Sequence, residues 1–289
     1  MNVPDGHRLL VSADTLVEQV HFPKNADPAL LARRALRVNL SDMAAMGATP
    51  RWYTLSLVLP AVNAPWLDAF SQGLKQDAAA YECHLIGGDT TKGPLTIGIQ
   101  ILGTVPAAQP YLARQGAQVG DLVVVTGSLG DARGALPYLA SDNNEGDAAA
   151  LLDRYWLPEP RVALAQRARE HIRAACDISD GLLGDLGHLC RASGVSAIVD
   201  GSRVPLSAAL RNTAGHDALR YAVTGGDDYE LCMAVSPEAM PSLMSAAESL
   251  GIPITEVGQF VAAEGSPHVQ CLDESGNHFD FEHQGYQHF

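Results

Sequence analysis

The chain has 289 residues, of which 47% are hydrophobic and 18% charged, so it can bury a substantial core. Its formal charge of −14 argues against nucleic acid as the main partner, because that binding needs basic surface to displace counterions. The five cysteines lack CxxC spacing, which indicates reduced thiols. No apolar run approaches the length of a membrane span. We therefore expect a cytoplasmic protein that binds neither nucleic acid nor membranes.

The first third of the chain alternates between strand and helix patterns. Residues 7–12 indicate a strand, and Asp27 and Pro28 are typical of the start of a helix that ends at Gly47. A strand is predicted at 52–60, a helix from about Asn63 to Glu82, a turn over "LIGGDTTKG" (85–93) and a strand at 95–105.

Residues 106–120 are rich in Pro, Ala, Gln and Gly, which is typical of a passage between domains. Beyond them we predict strands at 121–127, 195–200, 229–235, 255–260 and 268–271, helices at 159–172, 179–193 and 236–251, and a polar loop at 141–150. The fold class is therefore α/β (α+β), with domains at 1–105 and 121–289 joined by a linker at 106–120.

Carboxylates recur where predicted strands end. Asp89 follows two glycines, whose bare backbone can approach a phosphate, and a bridging Mg²⁺ would offset the repulsion between the two anions. A tight turn with Asp89 bonded to local amides explains the same letters. Asp14 ends the first strand and precedes His21, where an ordinary strand-end turn is the simpler interpretation.

Two further segments place acids beside polar groups. Asn39 and Asp42 share one face of the first helix and need a partner there, usually another chain segment and more rarely a metal. Asp177, Ser179 and Asp180 lie at a strand-to-helix junction, where a helix N-terminus favours a capping side chain or a phosphate.

Each motif is weak alone, but five such sites in one chain indicate a Mg²⁺ site for a nucleoside triphosphate. The chain contains no GxxxxGK[ST] loop, so a P-loop kinase is excluded, and no GxSxG, HExxH or Cys/His zinc pattern is present.

The ordered strings "SADTLVEQVHF", "NLSDMAAMGA", "LIGGDTTKG", "VTGSLGDA", "DISDGLLGDLGH", "GGDDYEL" and "GYQHF" closely resemble the thiamine-monophosphate kinase family, across essentially the whole chain. The resemblance implies the two-domain fold of aminoimidazole ribonucleotide synthetase, with N-terminal sheets joined in a homodimer. It also implies direct, Mg²⁺-dependent transfer of the ATP γ-phosphate to thiamine monophosphate, without a covalent enzyme intermediate.

The resemblance further assigns roles by motif. The expected catalytic residues are Asp42, Asp89 and Asp177. The expected ATP-binding residues are Gly88, Asp89, Arg114 and Ser179. The expected substrate-binding residues are His21, Asp227 and Tyr286. The expected metal-binding residues are Ser12, Ala13, Asp14, Asp42, Asp89, Asp177 and Asp180.

The chain also departs from the family pattern. The family has a leading Gly-x-Gly-Asp-Asp segment before "LLVSAD", and we expect the first strand and at least one metal-binding Asp to be missing here. Ala13 stands where Thr is usual, and Asp227 where Glu is common. Two alternatives therefore stay open, a catalytically impaired nucleotide-binding homologue and a sister enzyme of the same fold that acts on another small molecule.

Overall fold

The protein was analysed as a computed structural model that describes residues 2–141, 144–273 and 276–279. Two sheets organise these residues, a four-stranded sheet formed before residue 107 and a six-stranded sheet formed after residue 121. The mixed α/β architecture predicted from the sequence is therefore confirmed. No helix or strand occurs over 107–120, which is compatible with the predicted linker, whose bounds stay a prediction.

The N-terminal sheet has the strand order β1-β4-β2-β3. Its strands are β1 (His7–Val17), β2 (Thr49–Leu59), β3 (His84–Lys92) and β4 (Thr96–Pro106), and its helices are α1 (Pro28–Ala45) and α2 (Ala64–Ala80). Strand β4 is antiparallel to β1 and β2, whereas β3 is parallel to β2. Leu31, Leu36 and Leu40 of α1 share a buried core with Ile97 and Ile99 of β4, so α1 covers one face of the sheet.

Helix α1 begins where the sequence predicts. The Asp27 carboxylate accepts hydrogen bonds from the amides of Ala29 and Leu30, both at 2.9 Å, and Pro28 occupies the first turn. The same helix also contacts three elements of the second domain, Gly146–Trp156, Val162–Ala168 and Ala174–Asp177. Side chains of α1 can therefore face a boundary between the two domains.

The turn predicted over "LIGGDTTKG" is wrong, because these residues form most of strand β3. A bulge beside Tyr53 and Thr54 absorbs one extra residue, and Gly87 and Gly88 then continue the ladder with β2. Glycine is required at position 88, since an added Cβ would lie 2.0 Å from the carbonyl oxygen of Leu55. The paired glycines allow the backbone of β3 to lie close to that of β2, and they do not form a turn.

The C-terminal sheet has the order β10-β7-β9-β5-β8-β6. Its strands are β5 (Leu122–Thr126), β6 (Ala174–Asp177), β7 (Ser196–Asp200), β8 (Leu231–Val235), β9 (Ile254–Val261) and β10 (Val269–Leu272). The helices are α3 (Asp131–Ala135), α4 (Gly146–Trp156), α5 (Val162–Ala168), α6 (Leu182–Ser193), α7 (Ala208–Ala214), α8 (Ala218–Thr224) and α9 (Met240–Glu248).

Three predictions for this domain need correction. Helix α4 begins at Gly146, inside the predicted polar loop, and Pro241 lies in the first turn of α9 instead of its interior. Helix α6 begins at Leu182 with Gly181 as its cap, so neither Ser179 nor Asp180 caps it through a side chain. Gly181 has φ +112° and no room for a Cβ beside Thr224, which turns the chain before the helix starts.

All five cysteines are free and buried, as the scattered spacing predicts. Among the helices of the described residues, none combines the length and apolar character that crossing a bilayer requires.

Candidate active site

Three carboxylates from the two domains meet beside helix α1. Asp42 on α1 accepts a 2.7 Å hydrogen bond from Ser12 Oγ of β1, and Asp177 at the end of β6 accepts a 2.8 Å bond from Ser41 Oγ of α1. The backbone amide of Asp14 donates to Asn39 Oδ1 of α1 at 3.1 Å. We predicted that Asn39 and Asp42 need a hydrogen-bonding partner, and that partner is strand β1. We call Asp14, Asp42 and Asp177 the acidic cluster.

Burial makes these carboxylates costly to ionise. It raises the pKa of Asp14 to about 7, with the charges of Asp42, Asp180 and Asp227 adding to the effect. Burial also raises the pKa of Asp42, opposed by the Ser12 hydrogen bond and by Arg114, and it raises that of Asp177 well above the ordinary value, reinforced by Asp42. Within the described residues none of the three acids forms a salt bridge, so the cluster can accept a cation.

A separate carboxylate shapes the loop that follows Asp177. Asp185 Oδ2 accepts hydrogen bonds from the amides of Ser179 (3.0 Å) and Asp180 (2.9 Å). Burial raises the pKa of Asp185 to about 7, and these two amide bonds oppose the rise. Asp185 therefore fixes the backbone beside Asp177, a role that we did not predict.

Arg114 lies on the exposed segment between the two domains and provides positive charge near the acids. Its guanidinium acts to lower the pKa values of both Asp42 and Asp185. A cation in this position is suited to contact an anion that enters beside the acidic cluster.

Asp89 does not join the acidic cluster within one chain. Strands β1 and β3 form opposite edges of the N-terminal sheet, which separates them by three interstrand spacings, or about 14 Å. Asp89 is in register with Ser56, and a Cβ built on Gly98 would face both Ser56 and Thr15. This row lies on the exposed face of the sheet, whereas Asp14 alternates with Thr15 and faces α1. Within one chain, Asp89 therefore lies apart from Asp14, Asp42 and Asp177, with which it was expected to bind metal.

The remaining predicted residues lie at several different positions. Gly88 lies with Asp89 on β3, and Ala13 is exposed on β1 with no side-chain donor to offer a metal. Asp227 lies near Asp14, whose pKa its charge helps to raise, and a network of contacts links Asp227 to His21. Tyr286 lies outside the described residues.

The network that joins His21 to Asp227 passes through two residues that we did not predict. The Tyr155 hydroxyl donates to the His21 carbonyl at 2.8 Å, and Arg34 donates to the Tyr155 carbonyl. Arg34 Nη2 then lies 2.7 Å from Asp227 Oδ1, which also accepts a 3.0 Å bond from the Tyr229 hydroxyl. The available sequence signal was the group of three arginines within five residues of helix α1, Arg33, Arg34 and Arg37. Their spacing does not reveal which of them is buried.

In the described part of the chain, no group of three or more His, Cys, Asp or Glu side chains is arranged to hold a metal ion by itself. Mg²⁺ in phosphoryl-transfer sites is commonly held by one or two carboxylates together with substrate phosphates and water. The donor chemistry of the acidic cluster, hard oxygen ligands without a paired cation, fits that mode of binding.

Comparisons with known proteins agree with this architecture. Residues 1–105 match the family described as AIR synthase related protein, N-terminal domain, and residues 118–270 match AIR synthase related protein, C-terminal domain. The chain therefore has the two-domain fold of an AIR synthase related protein.

More similar relatives narrow the assignment. A thiamine-monophosphate kinase of Salmonella typhimurium is 45% identical over 294 residues, covering 100% of this chain and 89% of the relative. The crystal structure of thiamine-monophosphate kinase from Stenotrophomonas maltophilia K279a has a TM-score of 0.90 at 41% identity, covering 96% of this chain and 88% of that one. A structure of AaThiL complexed with AMPPCP and TMP has a TM-score of 0.88 at 29% identity, covering 100% and 89%. The chain belongs to the thiamine-monophosphate kinase family.

Proposed function

We propose that this protein phosphorylates thiamine monophosphate with ATP, giving thiamine diphosphate and ADP. The observation that carries the proposal is the acidic cluster at the boundary between the domains, in a chain whose relatives are thiamine-monophosphate kinases. The relative complexed with AMPPCP and TMP supports an ATP-like donor and this acceptor.

Phosphoryl transfer depends on positioning and charge neutralisation more than on a nucleophilic side chain. Asp14, Asp42 and Asp177 are the residues that would hold Mg²⁺, with Ser12 and Asp180 beside them. When bound, Mg²⁺ would offset the repulsion between the donor and acceptor phosphates. Ser12 and Ser41 donate hydrogen bonds that hold the carboxylates of Asp42 and Asp177 in place. A site that is already ordered spends less free energy on reorganisation during transfer.

The chain's other residues divide between the two substrates. Arg114 would contact ATP phosphates, and the amide-bonded loop of Ser179 and Asp180 would face the same nucleotide. His21 and Asp227 would bind thiamine monophosphate, together with Tyr286. The γ-phosphate would pass in line to the acceptor phosphate, without a covalent intermediate on the protein.

We further propose a homodimer formed through the N-terminal sheet, in the cytoplasm. Strand β3 is an exposed edge of nine residues. Leu9, Val11, Leu85 and Ile86 expose apolar surface on β1 and β3. An exposed apolar edge strand favours pairing with another chain. Because Asp89 lies on this exposed side, a second copy would have to supply the Asp89 that acts with an acidic cluster.

A substrate panel tests the function. Purified protein incubated with Mg-ATP and thiamine monophosphate should yield thiamine diphosphate and ADP in equal amounts, measured by mass spectrometry. Binding of Mg-ATP without turnover of any acceptor would favour the impaired nucleotide-binding homologue. Turnover of a different phosphorylated small molecule would favour a sister enzyme, and either outcome would overturn the proposal.

A further inference from the structure

Arg34 is a charged side chain with no exposed surface, placed where the two domains meet. It extends from α1 toward residues of the C-terminal domain. Its guanidinium carbon lies 4.0 Å from the ring centroid of Tyr155 and 5.8 Å from that of Tyr229, so both aromatic rings flank the cation. A buried cation is expensive unless it is paired, so its partner must explain its presence.

That partner is Asp227. Nη2 of Arg34 lies 2.7 Å from Asp227 Oδ1, close enough for an ion pair although the alignment of a hydrogen bond is not met. The Asp227 side chain is 36% exposed while that of Arg34 is fully buried. Arg34 therefore contacts the Asp227 carboxylate from the buried side, and the exposed part of that carboxylate stays open to a ligand.

The backbone around Asp227 needs such a restraint. Asp227 has φ +73° and Tyr229 has φ +53°, both in the left-handed region, which is uncommon for any residue other than glycine and rarer for tyrosine than for aspartate. Unusual conformations of this kind persist only where the surrounding structure enforces them. Arg34 and the Tyr229 hydroxyl both engage Oδ1 of Asp227, so they act on the same carboxylate oxygen.

We propose that Arg34 is a positioning residue for the acceptor substrate, which it serves by orienting the Asp227 carboxylate and linking it through Tyr155 to His21. This inference rests on the proposed function, in which His21 and Asp227 bind thiamine monophosphate. Packing alone does not explain Arg34, because an apolar side chain of similar volume fills a buried site without the cost of desolvating a charge. An arginine that held only the fold would also have no reason to pair directly with Asp227 and to connect through Tyr155 with His21, the other predicted acceptor-binding residue.

The test compares Arg34→Met, Arg34→Lys and the matched control Arg33→Met. Arg33 is the adjacent arginine on α1, and it pairs with Asp77 at 3.1 Å, away from Asp227. Losing a charge-assisted contact to Asp227 should raise the KM for thiamine monophosphate about tenfold to a hundredfold in Arg34→Met. The KM for ATP should stay within about twofold of wild type, because the variant disturbs only the residues that bind thiamine monophosphate.

The other two variants separate charge from packing. Arg34→Lys keeps the cation but loses the planar fork, so it should recover part of the lost acceptor affinity. Arg33→Met should leave both KM values unchanged. An acceptor KM in Arg34→Met equal to that of wild type, or equal increases in the KM values for acceptor and ATP, would overturn the inference.

A double-variant cycle checks that Arg34 acts through Asp227. The acceptor KM of Arg34→Met combined with Asp227→Asn should be no higher than that of Asp227→Asn alone, whereas independent, additive effects would contradict the proposal. If Arg34→Met does not fold, the same cycle run with Arg34→Lys carries the test. An inactive wild type would refute the proposed function, whereas an active wild type with unaltered acceptor KM in the Arg34 variants would refute only this inference.

Discussion

All three acids of the cluster carry an electrostatic cost, and Asp14 is the one for which the pH dependence can be stated. Its pKa is raised to about 7 by burial and by neighbouring acids, whereas an unfolded chain would ionise this group near 3.8. The folded state therefore binds more protons than the unfolded state between these values, so this carboxylate favours folding at low pH and opposes it as the pH rises through 7. In the proposed function, this loss of stability is the cost of keeping a carboxylate that can hold a cation.

This argument predicts the behaviour of Asp14→Asn without metal or nucleotide. The variant should melt a few degrees higher than wild type at pH 8, because the buried charge is gone. The difference should grow between about pH 4 and pH 7 and then level off, which thermal melts at several pH values would measure. A difference that is independent of pH, or a variant less stable than wild type at pH 8, would show that Asp14 is not held at this cost. Turnover should be lost in the same variant.

At the scale of single elements, local signals predicted α1 well. An Asp-Pro start followed by apolar residues at helical spacing specifies a helix with little help from the rest of the chain. The acids of β1, α1 and β6 were also predicted to belong to one site, and the fold brings them together beside α1. The predicted end of the first strand at Asp14 is wrong, because β1 continues to Val17.

Strand β3 could not be predicted in the same way. Its two glycines are turn residues by composition, and only pairing with β2, about 30 residues earlier in the chain, explains why they are extended. Arg34 was missed for a similar reason. Three arginines occur within one turn of α1, and the choice of which is buried depends on Tyr155, separated from Arg34 by 121 positions.

Asp89 on this exposed strand has a specific expected behaviour. Asp89→Asn should lower turnover by about a hundredfold or more if the carboxylate supports a phosphate-bound cation. Its melting temperature should stay close to that of wild type, because the side chain is exposed and forms no salt bridge within the part of the chain that the structure describes. A large loss of stability with normal turnover of the folded fraction would favour a purely structural role.

At the scale of the whole molecule, the proposed homodimer would combine Asp89 of one copy with the acidic cluster of the other. Asp89→Asn and Asp177→Asn should each be inactive alone. Mixed and allowed to exchange subunits, they should regain about one quarter of wild-type activity, because half of the dimers are mixed and each contains one intact site. If Asp89 acted within its own chain, the mixture would stay inactive, and a wild-type mixture exchanged in parallel provides the control.

The central claim is that carboxylates from both domains form one phosphoryl-transfer site beside helix α1. The most direct measurement is the turnover number for thiamine diphosphate formation by Asp42→Asn and Asp177→Asn, at saturating Mg²⁺, ATP and thiamine monophosphate. We predict that each falls by about a hundredfold or more while each protein remains folded, because the carboxylates act on the reacting phosphates through the cation. Turnover within about threefold of wild type in either variant would contradict the account.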